Sequence, residues 1–156
     1  MARYLLDTGM LLGYLRGSPF AAYVDQQYSP FAPANIAVIS IVTRGELRSL
    51  ALQLHWGTQK LLHLKALLHR IPSIDINHDV ILQRYAEIDA FSQNKLMGRS
   101  LPSGMSARNM GKNDLWIAAT ASVLNATLLT ADMDFDHLNG TFLTVFYIDP
   151  TTKPLP

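Results

Sequence analysis

Gly111-Lys112-Asn113-Asp114-Leu115-Trp116-Ile117-Ala118-Ala119-Thr120-Ala121 reads as the opening of a helix, and Leu128-Leu129-Thr130-Ala131-Asp132-Met133-Asp134-Phe135 as a strand running into an acidic loop. Asp114 stands at the helix start, Asn125 marks a turn, and Thr127–Leu129 is short and apolar enough for a buried strand. Asp132 and Asp134 fall just past the strand's carboxyl end. Open, mostly parallel sheets collect their chemistry at such ends.

Working upstream, Arg3-Tyr4-Leu5-Leu6 is an apolar run that stops at Asp7-Thr8-Gly9, after which Met10 to Leu15 continue with helical character. Ser18-Pro19 has the look of a cap followed by proline in the first helical turn, which predicts a short helix towards Tyr28. Asn35–Ile41 is rich in β-branched residues and reads as a second buried strand. From Thr43 the apolar positions Leu47, Leu50, Ala51 and Leu54 recur at helical spacing, with Glu46 in the first turn. Further helices are predicted over Leu61–Arg70 and Asp79–Phe91, with a short strand at Ser73–Ile76 between them. A last strand is predicted at Leu143–Ile148, followed by a flexible polar tail at 149–156. Alternating strands and helices predict an α/β fold with right-handed crossovers, a sheet covered on both faces, and one domain over 1–156.

Lys95–Asn113 differs in character, with three glycines, one proline, four basic residues and no acid, and it is long for a structureless connection in a compact domain. Such a segment is a candidate for function. The chain as a whole offers no electrostatic signature for nucleic acid, since its formal net charge is +1, so any such binding has to come from local patches. Hydrophobic residues make up 49% and charged residues 16% of the sequence, which fits a well-filled core and excludes a disordered or coiled-coil chain. There is no cysteine, which excludes disulfides and thiolate-bound zinc and fits a reducing cytoplasm. Asp7 and Arg16 interrupt the N-terminal apolar run, so a strand suits it better than a secretion signal. No stretch approaches the roughly 18 apolar residues of a membrane span.

Asp7, Glu46, Asp114 and Asp132, with Asp134 close by, all fall at predicted element junctions. Taken singly, each has an ordinary role: Asp7 as a helix cap, Glu46 as the partner of Thr43 in a capping box, Asp114 at a helix dipole, Asp132 or Asp134 in a turn. Together they would repel one another unless a cation neutralised them. Hard, oxygen-seeking Mg2+ or Mn2+ suits such a set, and one or two such ions support phosphodiester hydrolysis.

Leu5-Leu6-Asp7-Thr8, Ser40 with Thr43-Arg44-Gly45-Glu46-Leu47, Asn113-Asp114-Leu115-Trp116-Ile117-Ala118-Ala119 and Leu129-Thr130-Ala131-Asp132-Met133-Asp134-Phe135 together resemble the PIN-domain family. The match is similar in particular to the VapC-type toxins of bacterial toxin–antitoxin pairs, and it spans nearly the whole chain in order. The resemblance implies a three-layer α/β/α sandwich with a central sheet of four to five short strands, and a magnesium- or manganese-dependent ribonuclease. It further implies frequent homodimerisation and a cognate antitoxin that blocks the site. Carried over by motif, Asp7, Glu46, Asp114 and Asp132 form the acidic quartet, with Asp134 replacing or assisting Asp132. Thr8, Ser40 and Thr130 would hold acids or water in place. Gly9 departs from the pattern, standing where an asparagine is common.

A nuclease also needs cations for the phosphates beside the scissile bond. Arg44 and Arg48 lie one turn apart on the helix that carries Glu46, and Arg108 and Lys112 are expected to flank the entrance. None of the five histidines has metal-ligand spacing. Two other classes compete. Asp7-Thr8-Gly9 is the triplet of retroviral-type aspartic proteases, but those are β-rich pairs of aspartates and this chain is rich in predicted helix. A non-catalytic RNA- or protein-binding module would retain the fold, yet crowded idle carboxylates would only destabilise it.

Overall fold

A computed structural model describes residues 1–156. Five strands, β1 (Arg3–Leu6), β2 (Ile36–Ser40), β3 (Ser73–Ile74), β4 (Thr127–Thr130) and β5 (Val145–Tyr147), form one sheet in the order β3-β2-β1-β4-β5. Every pairing is parallel. The helices are α1 (Thr8–Arg16), α2 (Pro19–Tyr28), α3 (Ile41–Gln53), α4 (Thr58–Arg70), α5 (Asp79–Ser92) and α6 (Lys112–Val123). None is long and apolar enough to cross a membrane.

The strands show why the sheet must be covered twice. Tyr4 and Leu6 of β1, Ile39 of β2 and Leu129 of β4 point into one core with Met10, Val24, Leu47 and Leu68 from α1 to α4. Their immediate neighbours Leu5, Val38 and Leu128 point into the other core, with Ile88 and Phe91 of α5 and Leu115 and Ala118 of α6. Period-two alternation of apolar residues on both faces is the signature of a parallel sheet buried between helical layers. Helix α6 is buried at Leu115 and throughout Ile117–Ser122, because the sheet lies on one side of it and α5 on the other.

Boundaries differ from the sequence reading where side-chain shape and backbone preference disagree. β-branched Ile41 reads as the end of the strand, but the backbone turns helical there, and the Ser40 hydroxyl caps α3 by accepting from Val42 N–H at 3.2 Å. Thr43 is therefore inside the helix rather than at its cap, and Glu46 is freed from any capping box. Helix α6 begins at Lys112, two residues before Asp114. Asn125 takes a left-handed conformation (φ 50°) in the turn before β4, as its short polar side chain allows. Helix α1 stops at Gly17 (φ 63°), whose N–H reaches back to the carbonyls of Gly13 and Tyr14. In the polar tail, Leu155 exchanges two hydrogen bonds with the side chain of Gln26 on α2.

Candidate metal centre

The chain leaves β1 and β4 in opposite directions across the sheet, β2 following on one side and β5 on the other. That reversal opens a crevice beyond the carboxyl ends of the two strands, the usual place for a site in a parallel sheet. Asp7 follows β1 and Asp132 follows β4, so both carboxylates are delivered to this crevice. Helix α3 brings Glu46 to it and the first turn of α6 brings Asp114. Asp7, Thr8, Gly9, Glu46, Asp114 and Asp132 line the resulting cleft of about 320 Å³, with Ile117 and Ala131 as its apolar wall. Asp134 closes one side: single carboxylate oxygens of Asp114, Asp132 and Asp134 lie within 4.8 Å of one another, a spacing that could hold a metal ion.

Hydroxyl groups and backbone amides hold these acids. Asp7 is only 6% exposed. Its Oδ1 accepts from Met10 N–H at 2.8 Å, the N-cap bond of α1, and its Oδ2 accepts from the Thr130 hydroxyl. The same Thr130 oxygen accepts from Asp132 N–H at 3.0 Å, so one residue of β4 ties the two strand-end acids together. Asp132 in turn caps a short 3-10 turn, Met133–Leu138, by accepting from Asp134 N–H at 2.9 Å. On the other wall, the Thr8 hydroxyl is 2.6 Å from Glu46 Oε1 and 3.2 Å from the Thr43 hydroxyl.

The electrostatics are lopsided. The molecule's single ion pair, Arg84–Glu87, is formed on α5, so no cationic side chain neutralises any carboxylate of the cleft. Burial pushes the Asp7 carboxyl up to about 6, against the opposing pull of its bonds to Thr130 and Met10, and the negative charges of Asp114 and Asp132 add to the rise. Asp114 is likewise raised to about 6, chiefly by desolvation and then by Asp132, Glu46 and Asp134. The donors are all oxygens, with no sulfur and no imidazole among them. Such a set fits a hard divalent cation such as Mg2+ or Mn2+.

A protein-family model, the PIN domain, matches residues 4–140. The chain belongs to the PIN-domain family. Similar solved structures include VapBC2 from Rickettsia felis bound to a DNA fragment from its promoter, with 22% identity over 94% of this chain and 99% of that one and a TM-score of 0.71. VapBC-1 from nontypeable Haemophilus influenzae has 26% identity over 93% and 97% of the two chains, with a TM-score of 0.66. VapBC-5 from Mycobacterium tuberculosis, a member of the VapBC family of toxin–antitoxin systems, has 22% identity over 95% and 100%, with a TM-score of 0.57. No curated protein matches the chain.

Within this PIN domain the remaining expected site residues are dispersed. Ser40 is buried at the α3 cap and does not line the cleft. Arg44 stands two positions from Glu46, about 200° around the helix. It donates instead to the Ser73 hydroxyl at 3.2 Å and lines a separate groove with Arg48. Arg108 is half-buried, and its charge adds to the effect of burial, the larger cause, in lowering the pKa of the His137 imidazole, while Lys112 is exposed at the first residue of α6. Gly9 needs no special backbone, and a Cβ there would meet nothing closer than Asp7 Oδ1 at 3.7 Å. Its departure from the usual asparagine thus removes a side chain without reshaping the turn. Thr43 was missed as a site neighbour because it reads as a helix start.

Proposed function

We propose that this protein is a divalent-metal-dependent endoribonuclease and the toxin component of a type II toxin–antitoxin pair. The observation that carries the proposal is the convergence of Asp7, Glu46, Asp114 and Asp132 on one cleft without a single neutralising cation, in a PIN domain. Charge crowding of this kind costs stability in a folded chain and becomes favourable when a cation enters. The toxin role is supported by the likeness to chains of VapBC complexes.

In the proposed site the four acids, with Asp134, hold Mg2+ or Mn2+. When bound, such an ion offers charge stabilisation to the phosphoryl oxygens and a water of lowered pKa. The protein's own residues set the geometry. Thr130 and Met10 N–H fix both oxygens of Asp7, so this carboxylate cannot rotate, and Thr8 fixes one oxygen of Glu46 on the opposite wall. Asp132 is oriented by its own turn. The phosphodiester would lie between these two walls, with Ile117 and Ala131 as the apolar lining beside it. A cognate antitoxin and a homodimer belong to the same proposal.

The test is cleavage of a structured RNA by purified protein in Mn2+ or Mg2+, with Asp7→Asn and Asp114→Asn as controls. Loss of cleavage in both variants, and on chelation, is the expected result. Cleavage that survives both substitutions would trace to a contaminant and end the proposal. A small neighbouring reading frame whose product binds DNA, copurifies and stops cleavage would establish the toxin role.

A further inference from the structure

A second concavity lies on the far side of α3, between α3, α4 and the edge strand β3, and at about 600 Å³ it is nearly twice the volume of the acidic cleft. Arg44 and Arg48 of α3 and Lys65 and Arg70 of α4 line it, with His69 beside them and no aspartate or glutamate. None of these cations is in an ion pair, since the one ion pair of the molecule is Arg84–Glu87. Helix dipoles account for only part of the cluster: His69 and Arg70 sit in the last turn of α4, where positive charge is favoured. Arg44 lies near the amino end of α3, a helix with no acid in its first turn, where positive charge is disfavoured. Four uncompensated cations around one groove repel one another and are relieved by an anion.

We propose that this groove is a second contact for the RNA backbone, a phosphate-binding exosite that holds the substrate beyond the bond being cut. The inference rests on the proposed nuclease function and adds how that site retains a polyanion. The cleft itself is lined by carboxylates and the net charge is only +1, so attraction for RNA has to be local. Arg44 and Glu46 lie on opposite sides of one helix, so groove and cleft are separated by about the 10–12 Å diameter of a helix. A strand crossing α3 therefore reaches both. The leucines beneath the cations, Leu64 and Leu68, are already buried in the core at 6% and 7% exposure. Only Leu61 of its lining leucines stands open, at 44% exposure, so the groove offers four cations around a single apolar side chain rather than the continuous apolar stripe that an amphipathic protein helix requires.

The experiment uses full-length protein carrying Arg48→Glu and Lys65→Glu, both exposed positions, with unchanged circular dichroism and melting temperature as the folding check. Binding of a fluorescein-labelled RNA stem-loop is measured by anisotropy across a KCl series in an Asp7→Asn background, which separates binding from cleavage. A roughly ten-fold or greater loss of affinity is expected, with the slope of log K against log salt reduced by about 1.5 to 2. The glutamine pair, Arg48→Gln with Lys65→Gln, should show a smaller loss in the same direction, and cleavage at subsaturating RNA should fall in proportion to affinity. Unchanged affinity and slope would overturn the exosite, as would a loss confined to binding of an acidic polyglutamate peptide. If the reversal weakens RNA binding but the unsubstituted protein cuts no RNA in Mn2+, the nuclease reading fails, and with it the exosite as a substrate contact, leaving the groove as an RNA-binding surface only. If it cuts RNA and the reversal changes nothing, the exosite alone fails.

Discussion

The hydroxyl of Thr8 donates to Oε1 of Glu46 across 2.6 Å, joining the first turn of α1 to the middle of α3. Neither residue's backbone fixes this pairing, since the two come from different helices. The bond is what holds the Glu46 side chain in the cleft.

Thr8→Val keeps the shape and removes the donor. We expect cleavage to fall roughly ten- to hundred-fold, in the range seen when groups that orient metal ligands are lost. Stability should change by only about 1 kcal/mol, and Thr8→Ser should retain most of the activity. Steady-state cleavage beside thermal melts checks this, and equal activity of the valine and serine variants would remove the role given to Thr8.

The buried Asp7 carboxyl has a definite consequence for stability without metal. Its pKa is 3.8 in an ordinary environment and about 6 in the folded protein, so between those pH values the folded state holds the extra proton. Stability from this group is therefore fully present below about pH 4 and is lost as pH rises through 6, by on the order of 3 kcal/mol. Asp114 acts in the same direction, with a smaller effect because it is only half-buried. Urea unfolding in EDTA should show wild type losing stability from pH 4.5 to 7.5, and Asp7→Asn losing distinctly less. Parallel pH profiles for the two proteins would contradict this account.

Divalent ions should reverse that penalty. Mn2+ or Mg2+ is expected to raise the melting temperature at pH 7.5, by linkage to the folded state, and Asp114→Asn or Asp132→Asn should abolish the shift. Because Asp7 and Asp114 hold protons up to about pH 6, Mn2+ affinity by calorimetry should weaken by roughly ten-fold or more from pH 7 to pH 5. A shift of equal size in the acidic-site variants would place the ion elsewhere.

Gly13 offers a prediction about packing rather than chemistry. A Cβ at this position of α1 would lie 2.2 Å from Cζ of Phe20 on α2. Glycine to alanine in a helix ordinarily stabilises by about 1 kcal/mol. Here overpacking should reverse the sign, for a net loss of about 1–2 kcal/mol. Gly13→Ala with Phe20→Leu should recover part of it in a denaturant series, whereas additive losses would show that the two side chains do not meet.

The positions of Asp7 and Asp132 were legible because each follows a run of apolar residues that can only be a buried strand, and a parallel sheet brings strand ends together. Glu46 and Asp114 could be placed near helix starts but not against each other, since that depends on how α3 and α6 cross the sheet. Two features escaped for physical reasons. Ile41 and Val42 have strand-like side chains, yet Ser40 caps a helix there, which turns Thr43 inward against Thr8. The buried hydrogen bond between Ser92 and His137, at 2.7 Å, joins the end of α5 to the turn that bears Asp134 across 45 residues. No local pattern marks such a pair.

The central pairing of β1 with β4 joins residues near the start of the chain to residues near its end. A ribosome that has emitted only α1 through α5 has therefore made a pocket with half its walls missing. If the protein does cut RNA, it is harmless to the machinery that makes it until the last segment docks, and the hazard then arises in one step.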